Sequence, residues 1–247
     1  MLDQRPLIEA RGMAVGYRGG PLVLEDVTLA VARGQRVGIL GPNGGGKTTL
    51  MRAVLGELAP RRGVLSVRGR CGTVPQTERS RLDYPVSALD VVLMGVIGRG
   101  PWWRRPGRAD RGEALAVLER VSLAEHARVT FGELSGGQRQ RVLVARALLQ
   151  DADVVLFDEP FTGMDAPSAA RLMGLIDLLA TEGRAVLVAT HDVGQTLAWD
   201  AVLCLNGRRV AFGPPADTLT EDVLRATYGH ALVRLPSGGT FAVAAHA

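Results

Sequence analysis

The sequence predicts an α/β fold: a parallel central sheet, an antiparallel β subdomain at the N-terminal end and an inserted α-helical subdomain. Three observations predict it. The runs Val154-Val155-Leu156-Phe157 and Ala185-Val186-Leu187-Val188-Ala189 are apolar at every position, as strands buried on both faces of a parallel sheet are. The stretch 166–181 between them repeats leucine and isoleucine at helical spacing, which makes a βαβ unit. From about 78 to 150 the strand signal almost vanishes and helical patterns over 109–120 and 137–149 replace it.

Taken in order, the runs 7–15 and 22–31 read as antiparallel strands, broken by the turn residues Gly16, Gly19, Gly20 and Pro21. From Arg36 the pattern becomes strand, glycine loop, helix: 37–40, then 41–46, then 47–58. Cys71 and Cys204 each sit in an apolar strand-like stretch and read as buried reduced thiols, without a disulfide frame. With 247 residues the chain suffices for a single domain over 1–247 with the helical insertion at 78–150. No repeat of 20 to 50 residues is visible, and the tail 230–247 carries no reading.

Composition narrows the classes. Hydrophobic residues make up 47% of the chain, high enough to ask for a membrane span. The most apolar stretch, 91–97, is far shorter than the roughly 20 residues a spanning helix needs, and Arg99 follows it. The first residues also lack the apolar run of a signal peptide, so a cytoplasmic chain is expected. The net charge of +4 comes from dispersed arginines, a pattern that reads as solvated surface and not as a nucleic-acid face. Four scattered histidines and two lone cysteines do not make a transition-metal site.

The sharpest motif is Gly41-Pro42-Asn43-Gly44-Gly45-Gly46-Lys47-Thr48, followed by Thr49, which fits the P-loop pattern between a buried strand and a helix. Glycines let successive backbone N–H groups face an anion, and the helix N-terminus adds partial positive charge. Lys47 would reach the outer phosphates and Thr48 would ligate Mg2+. The fold class is thereby a P-loop NTPase core. The strand 154–157 ends in Asp158-Glu159, and in an open α/β sheet such a strand end meets the ligand. Asp158 would hold the magnesium through water and Glu159 would polarise the attacking water; read alone, the pair is also a solvated strand end. His191 follows the third buried run, where it would face the same crevice and contact the γ-phosphate, or serve as a structural residue.

Leu134-Ser135-Gly136-Gly137-Gln138-Arg139-Gln140-Arg141 opens a helix with Ser135 suited to cap it and a glycine pair that leaves backbone N–H groups exposed. It is a second anion site, which one chain cannot close around the same nucleotide. Here the whole chain resembles an ATP-binding cassette (ABC) transporter ATPase, and the octapeptide is similar to that family's signature motif. The resemblance covers 7–229. It implies the ABC ATPase fold, ATP and Mg2+ as ligands, and further roles. Tyr17 would stack on adenine; Gln76 would be the glutamine that touches magnesium and links the nucleotide to the helical subdomain. Asp165 would contact the opposite subunit, and His191 would be the switch histidine. It also implies a head-to-tail homodimer with two ATP molecules, each between the P-loop of one copy and Ser135, Gly136, Gly137 and Gln138 of the other. The chain would then lie on the inner face of the cell membrane beneath integral membrane permease subunits.

The segments around Tyr84-Pro85, Asp90 to Gly95, Trp102-Trp103-Arg104-Arg105-Pro106 and Thr162-Gly163-Met164-Asp165 resemble the ATPases of manganese, zinc and iron importers. That implies import of a divalent metal selected by the permease and by an extracytoplasmic metal-binding protein. Trp102 and Trp103 read either as a permease-docking site or as a packing cluster. The alternatives are the ATPase of another import system, or an ABC-type assembly factor or nucleic-acid-associated ATPase.

Overall fold

The computed structural model describes residues 5–75, 85–97 and 105–229, together with the backbone of 232–234 and 241–243. Three strands open the described chain before the first helix. Strands β1 (Ile8–Val15), β2 (Leu24–Val31) and β3 (Arg36–Leu40) precede helix α1 (Lys47–Val54). Strands β4 (Arg62–Val67) and β5 (Cys71–Val74) follow, then helices α2 (Ala88–Leu93), α3 (Arg108–Arg120) and α4 (Gly136–Leu149). The remainder runs β6 (Val154–Asp158), α5 (Ala166–Thr181), β7 (Ala185–Ala189), α6 (Val193–Thr196), β8 (Ala201–Leu205), β9 (Arg209–Gly213), α7 (Pro215–Thr218) and α8 (Glu221–Tyr228). A hairpin of β10 (Leu232–Arg234) and β11 (Phe241–Val243) lies in the tail.

The first sheet is antiparallel, in the order β2-β1-β4. The second has the order β5-β6-β7-β3-β8-β9, parallel except for the edge pair β8 and β9. The βαβ unit expected from 154–189 is present as β6, α5 and β7, with β6 beside β7. Alternation along the two central runs explains their unbroken hydrophobicity. Val155, Phe157, Val186 and Val188 face a core shared with α2, α3, α4 and α5; Val154, Leu156, Ala185, Leu187 and Ala189 face one shared with β1, β2 and α1. Successive strand residues point to opposite faces, so a strand covered on both sides has no polar position to spare.

Three details differ from expectation. Helix α1 ends at Val54 and not at 58, because Gly56 turns left-handed (φ 78°) and its N–H closes on Ala53 O at 2.9 Å. The second strand starts at Leu24, since Val23 still bonds back across the turn to Val15 O at 2.9 Å. Cys204 is buried, whereas Cys71 is only half-buried because β5 is an edge strand. Burial pushes both thiols up to about 11. No described helix is long and apolar enough to cross a membrane.

Candidate active site

Three neighbouring parallel strands deliver the predicted residues to one edge of the large sheet. In β6, β7 and β3, Asp158 is in register with Ala189, and Ala189 with Ile39. Their chain continuations carry Glu159, His191 and the P-loop. Two cross-strand bonds continue past the strand ends, Glu159 N–H to Ala189 O at 3.0 Å and Thr190 N–H to Ile39 O at 3.1 Å. Glu159 itself leaves β6 with φ +47°, a left-handed conformation that a non-glycine residue adopts rarely.

A cleft of about 580 Å³ is lined by Tyr17, Val23, Pro42, Asn43, Gly44, Gly46, Lys47, Thr48, Thr49, Asp158 and Glu159. The glycines of its loop are constrained in different ways. Gly46 is left-handed (φ 101°), and a Cβ there would stand 2.3 Å from Leu24 Cδ2; a Cβ on Gly41 would stand 2.2 Å from Leu205 O. Gly41 N–H donates to the buried Tyr228 hydroxyl of α8 at 3.1 Å, and burial raises that phenol above its ordinary range. Gly45 N–H bonds Pro42 O at 2.9 Å, and its own carbonyl accepts from Gly207 N–H at 3.1 Å. The loop is therefore anchored from α8 and from the β8–β9 turn.

Lys47 is buried, and its ammonium donates to Gly41 O at 2.7 Å and Pro42 O at 3.2 Å. Burial lowers its pKa, while the charges of Glu159 and Asp158 oppose that shift. The cleft thus concentrates one cation and two carboxylates around backbone donors of a helix N-terminus, an arrangement suited to a polyphosphate. Thr48 and Asp158 bring an alcohol and a carboxylate oxygen to the same cleft, hard donors of the kind Mg2+ takes.

Tyr17 stands at the cleft rim, 39% exposed. The Arg52 guanidinium lies over its ring at 5.7 Å, its hydroxyl is 3.5 Å from Thr49 Oγ1, and Arg61 donates to the carbonyls of Tyr17 and Gly20. His191 does not line the P-loop cleft. It is exposed and lines an adjoining cavity of about 220 Å³ with Thr162, Gly163, Thr190 and Gln195; Glu159 borders both spaces.

Ser135 caps α4, accepting from Gln138 N–H at 3.3 Å, and Gln138 Oε1 accepts from Ser135 N–H at 2.8 Å, a reciprocal capping box. Ser135 and Gly136 are exposed, while a Cβ on Gly137 would come 2.8 Å from Ser168 Oγ of α5. None of Ser135, Gly136, Gly137 and Gln138 lines the P-loop cleft. Asp165 caps α5 of its own chain, accepting from Ser168 N–H at 3.0 Å, and the Ser168 hydrogen bonds hold its carboxyl below the usual range. Gln76, Trp102 and Trp103 lie outside the described residues.

Residues 24–162 match the family model of the ABC transporter. The chain belongs to the ABC transporter family. It is 42% identical over 238 residues to the manganese transport system ATP-binding protein MntB of Bacillus subtilis, covering 92% of this chain and 94% of that one. To the zinc transport system ATP-binding protein TroB of Treponema pallidum it is 38% identical, covering 90% and 86%. Among solved structures, one described as an inward-facing ABC transporter of metal-chelate type superposes with a TM-score of 0.84 at 28% identity, covering 96% and 95%. This ABC transporter subunit therefore binds ATP and hydrolyses it to power transport. Sequence reasoning missed Tyr228, Arg61 and Arg52, none of which belongs to a local motif.

Proposed function

We propose that this ATPase drives the import of a divalent metal ion, manganese or zinc, through separate membrane permease subunits supplied by an extracytoplasmic metal-binding protein. The names of its manganese and zinc relatives support the cargo. In this reading two copies pair head to tail on the inner face of the cell membrane, each ATP lying between the P-loop of one and the signature turn of the other. The helices of 78–150 form the subdomain that carries that turn within the single domain 1–247. The observation that carries the reading is the incomplete cleft: it offers a P-loop, an aromatic rim and an acid pair, but none of the four signature residues.

Within the cleft, Tyr17 stacks on adenine and the 41–49 segment wraps the phosphates, with Lys47 exchanging its own loop carbonyls for phosphate oxygens. Thr48 and Asp158, with Gln76, would hold Mg2+, whose charge supplies neutralisation of the phosphate oxygens. Glu159 takes the proton of the attacking water, and His191, one cavity away, holds that water in line with the γ-phosphate. Ser135 and the N–H groups of Gly136 and Gly137 close on the partner's nucleotide beside Gln138, and Asp165 lies at the same seam.

Mixing tests the sharing. Lys47→Ala should lose ATP binding and Ser135→Arg should keep it, each inactive alone, while mixed dimers regain hydrolysis at one composite site. No recovery on mixing would refute the shared site. Glu159→Gln should retain ATP as a stable dimer with turnover nearly abolished; vigorous hydrolysis would remove its assigned role. For the cargo, cells lacking this chain should accumulate less manganese or zinc, and unchanged uptake of both would refute metal import.

A further inference from the structure

The Gln138 side-chain amide is held at both ends. Its carbonyl takes Ser135 N–H at 2.8 Å, which closes the capping box. Its amine lies 3.0 Å from His126 Nε2. Because the carbonyl is already committed to an N–H donor, the amine must be the donor in the second contact, and His126 Nε2 must be unprotonated. The imidazole proton then sits on Nδ1. That atom is buried and has no hydrogen-bond partner among the described residues. A buried donor without a partner is unfavourable, so this ring carries an unfavourable tautomer while keeping an acceptor turned toward Gln138.

The ring's backbone is firmly set. His126 closes a 3-10 turn, Ala124–His126, through its N–H to Leu123 O at 3.0 Å, and its carbonyl accepts from Val129 N–H at 3.0 Å. The first turns of α4 grip the same connector again, Arg139 through Gly132 O at 3.3 Å and Arg141 through Val121 O at 2.8 Å. Of these contacts, only the one from His126 reaches a side chain of the capping box.

We propose that His126 is a positioning residue for the signature turn: it fixes the Gln138 amide so that the capping box is preformed before a second copy arrives. Ser135 Oγ accepts Gln138 N–H in that arrangement and keeps its own proton to donate to an incoming phosphate oxygen. The N–H groups of Gly136 and Gly137, in the first helical turn, have no intrahelical acceptor and stay directed at the same anion. The inference rests on the proposed reading that this turn serves the opposite copy's ATP.

The test uses full-length protein carrying Glu159→Gln, so that ATP-induced dimerisation is measured without turnover. Adding His126→Leu should weaken dimerisation about 25-fold, roughly fivefold for each of two motifs, the worth of one hydrogen bond apiece. Affinity of the single subunit for a fluorescent ATP analogue should stay within about twofold, because the P-loop cleft is untouched. His126→Gln, which restores a carbonyl acceptor, should recover most of the loss. Nitrogen-15 spectra of the unsubstituted protein should show the Nδ1–H tautomer at His126. An Nε2–H tautomer, undiminished dimerisation of a folded His126→Leu protein, or a His126→Gln protein as defective as His126→Leu would overturn the proposal. The tautomer and the glutamine variant decide the matter if the leucine variant does not fold. A Ser135→Arg control separates the two levels: if it dimerises normally the shared-site reading falls and takes this proposal with it; if it fails while His126→Leu succeeds, only the proposal falls.

Discussion

Replacing Tyr228 by Phe removes one oxygen and leaves the rest of α8 unchanged. That oxygen accepts the Gly41 N–H at 3.1 Å in a buried setting, linking α8 to the first residue of the P-loop across 187 positions of sequence. An orphaned buried donor costs about 1–3 kcal/mol. For a chain of this length each kcal/mol moves the melting temperature by about 2–4 °C, so a fall of roughly 2–12 °C is expected. If about 1 kcal/mol of that is expressed as freedom of the loop, ATP affinity falls about fivefold. Thermal melts with and without ATP, paired with titration of a fluorescent ATP analogue, read both quantities. A Tyr228→Phe protein that melts at the parental temperature and binds ATP equally well would refute the claim that α8 anchors the P-loop.

Other perturbations test other parts of the cleft. Gly46→Ala should lose about 2–4 kcal/mol in denaturant titrations, from left-handed backbone strain and overpacking, because its Cβ would meet Leu24 Cδ2 at 2.3 Å. Measured against Leu24→Ala alone, the Gly46→Ala loss should shrink by only the steric part, since φ stays at +101°; a loss that vanished on that background would show that the backbone conformation does not matter. Arg61→Ala removes the donor to the Tyr17 and Gly20 carbonyls. It should weaken ATP about three- to tenfold, about 1 kcal/mol of the lost rim support reaching the nucleotide, while tripolyphosphate binds as before; equal losses for both ligands would mean that Arg61 does not act through the Tyr17 rim.

The parts of this site that were legible in the sequence are those whose residues are contiguous. The P-loop and the Asp158-Glu159 pair needed only a strand end, because the sheet order β6-β7-β3 brings such ends together. The contacts that hold these motifs were not legible. Tyr228 reaches Gly41, Arg61 reaches Tyr17 and His126 reaches Gln138 through tertiary packing, and an isolated Tyr, Arg or His carries no periodicity or spacing that announces a partner. Helix α1 was read too long for a related reason: the 47–58 pattern remains compatible with a helix, and only the left-handed turn at Gly56 ends it. The separation of His191 from the P-loop cleft likewise depends on loop geometry beyond β7, where a residue-by-residue motif gives an order but not a direction.

Glu159 shows how such a site is built at the expense of local comfort. Its backbone sits at φ +47° while its N–H stays bound to Ala189 O, so the chain turns away from β6 within a single residue after Asp158. For a residue with a Cβ that conformation costs about 1–2 kcal/mol, and glycine would relieve it. The fold alone therefore favours glycine here. A glutamate at this position makes sense through what it borders: the P-loop cleft on one side and the His191 cavity on the other. Strain of this kind persists where surrounding structure over-determines it. Here the determinants are visible, since β7 fixes the level of the strand end and the Thr162 N–H closes back on the Glu159 carbonyl at 3.3 Å. The carboxylate is thus aimed by the register of two strands and the closure of one turn, so repacking either should misdirect it without altering a single residue that lines the cleft.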